Sequence, residues 1–216
     1  MRSPNHGPRR GGHRPELVVL HYTAMTSCDA AERALCDPAR EVSAHYLISR
    51  TGDVIQLVAE DRRAWHAGAG TWRGAEDVNS RSIGIELDND GFSPFAAPLM
   101  DALEDTLAGL LARWSIAPQG VIAHSDMAPA RKSDPGPRFD WRRLARQGLA
   151  IWPEWTPANG TDPHAFRRDA RAFGYPDLSD ELLLRALRLH FRPAAAGPLD
   201  AIDCGIAAEL AARYGD

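Results

Sequence analysis

The chain has 216 residues, with 25 Lys and Arg against 29 Asp and Glu and a formal net charge of −4. That balance, without any long basic run, excludes an electrostatic nucleic-acid footprint, and no apolar stretch approaches the ~20 residues that a membrane span needs. Cys28, Cys36 and Cys204 form an odd, scattered set that reads as free thiols of a reducing compartment rather than a disulfide framework.

In chain order, Arg2, Arg9, Arg10 and Arg14 lie among Gly and Pro and read as a surface arm. With no apolar signal core at this end, a cytoplasmic location is expected. Leu17-Val18-Val19-Leu20 is a short continuous apolar run, the signature of a strand buried on both faces, and it closes in His21. Ala44-His45-Tyr46-Leu47-Ile48 and Val54-Ile55-Gln56-Leu57 flank Thr51-Gly52-Asp53 and predict a hairpin, with His45 structural inside its strand. Ile83, Ile85 and Leu87 alternate onto the core face of a further strand, leaving Gly84 and Glu86 on the other. Over residues 94–115, Leu99, Leu103, Leu107, Leu110, Leu111 and Trp114 recur at three- and four-residue steps, which predicts an amphipathic helix laid on the sheet. Gly120-Val121-Ile122-Ala123 is a second buried strand that closes in a histidine, His124.

A Trp- and Pro-rich junction at residues 151–160 then interrupts the pattern. Helical periodicity returns over residues 165–173, 181–190 and 200–214, with Leu199, Ile202, Ile206, Leu210 and Tyr214 as the clearest stripe. The expected fold is α/β, a central mixed β-sheet flanked by helices, followed by a small three-helix bundle. The expected domains are residues 1–155 and 156–216.

Sites in open α/β sheets assemble at the carboxyl ends of strands. If the two histidine-terminated strands are neighbours, His21 and His124 converge on one ion, and Asp134 follows in a loop turned by Pro135, Gly136 and Pro137. Two His and one carboxylate leave a fourth position for water, so the set suits a catalytic zinc and hydrolysis; other first-row divalent ions also suit these donors. Lys132 is the only lysine, a compact, pKa-adjustable ammonium where every other strongly basic side chain is Arg. Glu86, an acid in an apolar strand, is the candidate general base and acid. Trp65, His66 and Asn79 are candidates for lining a saccharide or peptide groove. Plainer readings stand beside these: a core histidine at 124, an accident of Arg-rich composition at 132 and an exposed edge-strand carboxylate at 86.

Taken together, the runs Val18-Val19-Leu20-His21-Tyr22-Thr23, Val42-Ser43-Ala44-His45-Tyr46, Ala64-Trp65-His66-Ala67-Gly68 and Asn79-Ser80-Arg81-Ser82-Ile83-Gly84-Ile85-Glu86, with the loop from 124 to 141, resemble the zinc-dependent N-acetylmuramoyl-L-alanine amidases. That class also holds phage lysozyme-type amidases and animal peptidoglycan recognition proteins, and the resemblance covers roughly residues 1–155. It implies one Zn2+ held by His21, His124 and Asp134, with Glu86 as acid/base and Lys132 at the developing oxyanion. The implied reaction is hydrolysis of the amide between the lactyl group of N-acetylmuramic acid and L-alanine, on peptidoglycan fragments during recycling. Asp134 where phage lysozyme-type members carry Cys, and Ala44 where they carry Tyr, imply the Glu-dependent branch. Asp77 stands where relatives preferring diaminopimelate carry Arg, and Arg73, Arg81 or Arg131 are the candidates to replace it against a peptide carboxylate. The tail, through Arg171-Ala172-Phe173-Gly174-Tyr175 and 186–193, resembles a helical peptidoglycan-binding domain, with structural support as its equal alternative. Two other activities stay open, a muropeptide-binding module without catalysis and a lysin of intact peptidoglycan. Some fused relatives are envelope lipoproteins, which keeps an envelope location open, and the sequence leaves the oligomeric state open.

Overall fold

The computed structural model of the protein describes residues 3–215. Its elements run β1 (His6–Pro8), β2 (Leu17–Tyr22), α1 (Cys28–Leu35), β3 (Tyr46–Ile48), β4 (Val54–Gln56), β5 (Arg62–Ala64), α2 (Val78–Arg81), β6 (Ser82–Leu87), α3 (Ala97–Trp114), β7 (Val121–Ala123), α4 (His124–Met127), α5 (Trp141–Arg146), α6 (Pro163–Phe173), α7 (Asp180–Phe191) and α8 (Ala201–Tyr214). Among these residues the main sheet has the order β4-β3-β6-β2-β7, parallel except for β4, which pairs antiparallel to β3 through the expected hairpin. No helix among them is long and apolar enough to cross a membrane.

Both faces of the sheet are covered, and this is why β2 reads as an unbroken apolar run. Val18 and Leu20 join Ile83, Ile85 and Leu87 against α3 residues Leu99, Leu103, Leu107 and Leu110 and α5 residues Trp141 and Leu144. Leu17, Val19 and Ile122 face the other way and pack with Trp72, Val78 and Met127. That second cluster continues without a break into Phe166, Phe173, Leu183, Leu187, Phe191, Ile206 and Leu210 of the three C-terminal helices. The 151–160 junction lies on this core as an irregular strap: Trp152, Trp155 and Ala158 pack against it, and Ala158 N–H donates to Ala201 C=O at 2.9 Å. Gly205 permits the close approach, because a Cβ there would stand 2.0 Å from the Thr156 carbonyl oxygen.

Within the basic N-terminal arm Arg10 and Arg14 are exposed, as a surface arm requires, and Arg9 departs from that expectation. β1 pairs with β5, and the half-buried Arg9 guanidinium donates to the carbonyls of Glu60 at 2.7 Å, Ser80 at 2.9 Å and Ser82 at 3.0 Å. It is a strut that satisfies backbone acceptors where β6 begins. Arg2 lies outside the described residues.

Candidate active site

β2 sits between β6 and β7, with Leu20 opposite Ala123 and His21 opposite Glu86. His21 therefore leaves β2 at the level where β7 ends and His124 opens α4. A loop returns Asp134 to the same point, held by Ser125 N–H donating to the Asp134 carbonyl at 3.0 Å. The donor atoms form a tight triangle: His21 Nδ1 to His124 Nδ1 2.9 Å, His21 Nδ1 to Asp134 Oδ2 2.9 Å and His124 Nδ1 to Asp134 Oδ2 3.0 Å. All three residues are buried.

The chemistry of this triangle fits a metal ion. His124 Nε2 lies 2.9 Å from the Ala67 carbonyl, which only accepts, and 3.4 Å from Arg131 Nη2, which only donates; the nearer partner puts the proton on Nε2 and leaves a lone pair at Nδ1. That lone pair faces Asp134 Oδ2, also an acceptor, and the contact is repulsive unless a cation lies between them. Tetrahedral zinc with bonds of 2.0–2.1 Å would separate its ligands by roughly 3.3 Å, a few tenths wider than the triangle. Among the described residues, His21, His124 and Asp134 form a group able to hold a metal ion. Burial, then the neighbouring His124, lowers the His21 imidazole to about 4, so it is neutral.

Glu86 stands beside this centre, on a central strand rather than an edge. Its Oε2 is buried and has no hydrogen-bond partner among the described residues. Burial, then the charge of Asp134, pushes its carboxyl well above the usual range, while Lys132 partly offsets the rise. Such an orphaned, shifted acid in a cleft is a mark of a reaction centre rather than of a fold contact.

A cavity of about 400 Å³ is lined by His21, Trp65, His66, Glu86, His124, Arg131, Lys132 and Asp134. The fold thus brings together every candidate except Arg73, Arg81 and Asn79: Arg73 donates to the Tyr214 carbonyl, and the buried Arg81 pairs with Glu16 and the Trp72 and Ala75 carbonyls, all away from the cavity; Asn79 is the third. That residue lies behind the wall, its Oδ1 accepting from His66 N–H at 3.0 Å and Ala67 N–H at 2.8 Å, and so shapes the loop. The Arg131 guanidinium pins the same loop through the Ala67 and Ala69 carbonyls. His66 has Nδ1 3.1 Å from His21 Nε2 and Nε2 3.1 Å from Ser82 Oγ, which engages both ring nitrogens with protein groups. Burial, then the neighbouring His21, keeps it well below the ordinary histidine value and therefore neutral. His45 is structural: its Nδ1 accepts from Gly84 N–H at 3.0 Å and its Nε2 lies 3.0 Å from the Arg62 carbonyl. Asp77 is occupied by Arg63, which donates to Oδ1 at 2.8 and 3.1 Å, away from the cavity.

Tyr22, Met25, Ala31, Ala34, Arg40 and Val42, on and around α1 and the end of β2, complete the lining. Nothing in their local spacing marks them, since α1 reads as an ordinary amphipathic helix capped by Ser27.

Residues 11–137 match the family model of N-acetylmuramoyl-L-alanine amidase. The chain is 37% identical to the N-acetylmuramoyl-L-alanine amidase AmiD of Escherichia coli (strain K12), over 94% of this chain and 84% of that protein. It is 35% identical to the 1,6-anhydro-N-acetylmuramyl-L-alanine amidase AmpD of Enterobacter cloacae, over 66% of this chain and 85% of the relative. The solved complex of AmiD from E. coli with anhydro-N-acetylmuramic acid-L-Ala-D-gamma-Glu-L-Lys superposes with a TM-score of 0.86, covering 95% of this chain and 92% of that one at 35% identity. AmpDh3 from Pseudomonas aeruginosa in complex with anhydromuramic pentapeptide gives 0.82, covering 96% and 95% at 31% identity.

Proposed function

Because the chain belongs to the N-acetylmuramoyl-L-alanine amidase family, we propose how its residues divide the hydrolysis of the amide between the lactyl group of N-acetylmuramic acid and the L-alanine of a stem peptide. His21, His124 and Asp134 are the residues that hold zinc, which when bound supplies a Lewis acid for the scissile carbonyl and lowers the pKa of a water molecule. Glu86 takes a proton from the attacking water as its oxygen bonds to the carbonyl carbon. The C–N bond then breaks and Glu86 delivers that proton to the departing nitrogen, leaving a lactyl carboxylate and a peptide with a free amino terminus. A carboxyl raised by burial suits the second half of this cycle, since it holds the proton until the amine needs it.

The Lys132 ammonium lines the same cavity and stabilises the negative charge that develops on the carbonyl oxygen, a contribution of about 3 kcal/mol for one well-placed donor. Trp65 and the wall around α1 receive the sugar and peptide, with Arg131 at the rim available to a peptide carboxylate. The substrates are soluble anhydro-muropeptides of cell-wall recycling, the class of molecule on which AmiD and AmpDh3 were solved. Residues 1–155 form the catalytic unit and residues 156–216 a helical unit that covers one face of its sheet.

The observation that carries this reading is the acceptor triangle at the ends of neighbouring strands with the unpartnered Glu86 oxygen next to it. Mass spectrometry of an anhydro-muramoyl tripeptide incubated with the protein tests it. Release of free tripeptide and intact anhydro-muramic acid, abolished by chelation and restored by zinc, is expected; an intact substrate after zinc add-back would overturn the reading.

A further inference from the structure

β6 carries Ser82, Gly84 and Glu86 on one face, the face from which β2 presents His21. Glu86 belongs to the chemistry, and the other two positions meet His66. The His66 ring lies flat over Gly84, where a Cβ would fall 2.3 Å from its Cγ, so a residue that weakens a strand interior makes room for an imidazole. Seated there, His66 spans the gap between Ser82 Oγ and His21 Nε2, at 3.1 Å on each side.

The protons along this line are ordered by its far end. The Val78 carbonyl can only accept, and Ser82 Oγ–H donates to it at 2.6 Å. With its one proton spent, Ser82 Oγ can only accept from His66, so His66 Nε2 carries the proton. Neutral His66 then offers a lone pair at Nδ1, which forces His21 Nε2 to be the donor. His21 Nδ1 is left bare, aimed at the triangle it shares with His124 and Asp134. Each link leaves one choice for the next.

We propose that Ser82 and His66 are positioning residues that fix His21 in the tautomer whose Nδ1 is free to bind a metal, through the line Val78 C=O, Ser82, His66, His21. The proposal rests on His21 being a metal ligand and asks nothing of the substrate. His124 reaches the same state directly through Ala67; His21 Nε2 meets a second histidine, His66, instead. Partners of this kind orient a ligand ring and hold its basic nitrogen in place, and their loss typically costs 10–100-fold in metal affinity.

The test uses the full chain, labelled with 15N-histidine and freed of metal, and reads imidazole tautomers by long-range 1H–15N correlation. His21 is expected as the Nε2–H form in the parent protein and as a mixture in His66→Phe, which keeps a flat ring over Gly84 but removes the acceptor. Zinc affinity, measured by competition with a chromophoric chelator, is expected to fall 10–100-fold in His66→Phe, by less in Ser82→Ala, and to recover in part in His66→Gln, whose amide oxygen can accept from His21. A cooperative melt near the parent temperature shows that each variant folds. Gly84→Ala, whose Cβ would fall 2.3 Å from His66 Cγ and 2.5 Å from its Nδ1 and so must displace the ring while removing no polar group, is a second route to the same loss of affinity. His21 as the Nδ1–H form in the parent protein, or unchanged tautomer and zinc affinity in folded His66→Phe, would overturn the proposal. Neither readout involves amide cleavage, so failure of the amidase assignment and failure of the relay are seen separately.

Discussion

His21 on β2 and Glu86 on β6 are register partners on adjacent parallel strands, so the imidazole of the donor triangle and the carboxyl leave the sheet side by side on one face. Neighbouring parallel strands hold residues of equal register about 4.8 Å apart. The separation of the two residues is thereby set by backbone hydrogen bonds rather than by side-chain freedom, and both line the same cavity.

Glu86→Gln is expected to lower kcat by about 10²–10⁴-fold, the usual worth of a positioned acid/base, with zinc content unchanged by elemental analysis. Loss of metal together with activity would assign the residue to the metal site instead.

The same substitution is expected to stabilise the metal-free protein at neutral pH. Burial raises the folded-state carboxyl above the ordinary glutamate value of 4.5. Below about that pH Glu86 is protonated in both states and contributes nothing. As pH rises past it, the unfolded chain releases its proton while the folded chain holds on, so the parent loses stability up to the raised folded value. Gln imitates the protonated acid, so the melting temperature of Glu86→Gln relative to the parent should climb between pH 4 and 7 in chelator. A difference that is flat with pH would argue that Glu86 is not a raised acid.

Lys132→Ala should reduce kcat by about 10²–10³-fold with KM little altered, as for removal of one donor to a developing oxyanion. Lys132→Arg is not expected to restore it, because the planar guanidinium is bulkier than an ammonium and permanently charged. A rise confined to KM would place Lys132 in ground-state binding.

Zinc should raise the melting temperature of the parent and not of Asp134→Ala. Free zinc at 100 times its Kd adds about 2.7 kcal/mol to folding stability when the unfolded chain does not bind it. Equal shifts in both proteins would move the metal away from the His21, His124 and Asp134 triangle.

The C-terminal helices and the sheet should unfold together. Asp126 on α4 is buried and accepts from Ala123 N–H at 2.8 Å and Tyr175 Oη at 3.0 Å, and its Oδ2 lies 2.7 Å from His190 Nδ1 of α7. Phe173 and Phe191 share a core cluster with Val19 and Ile122. Phe173→Ala is expected to cost about 3–5 kcal/mol, seen in calorimetry as one transition shifted to lower temperature. Two resolved transitions would show that the helical unit folds on its own.

The chain's local pattern carries the main strands, the long helix and the chemical inventory. Apolar runs at 17–20 and 120–123, alternation at 83–87 and three-to-four spacing at 99–114 became β2, β7, β6 and α3, because periodicity is a local consequence of which face is buried. It also supplied both histidines, Asp134, Glu86 and the lone lysine. Long-range pairing places β2 between β6 and β7, which converts two separate histidines into one donor triangle and sets Glu86 beside it. It also moved Asn79 behind the wall, made Arg9 a strut, gave His66 to Ser82 and His21, and merged the C-terminal helices into the core of the sheet. Those outcomes depend on hydrogen bonds and packing between residues far apart in the chain, as between His21 and His124, and no local pattern records such pairs.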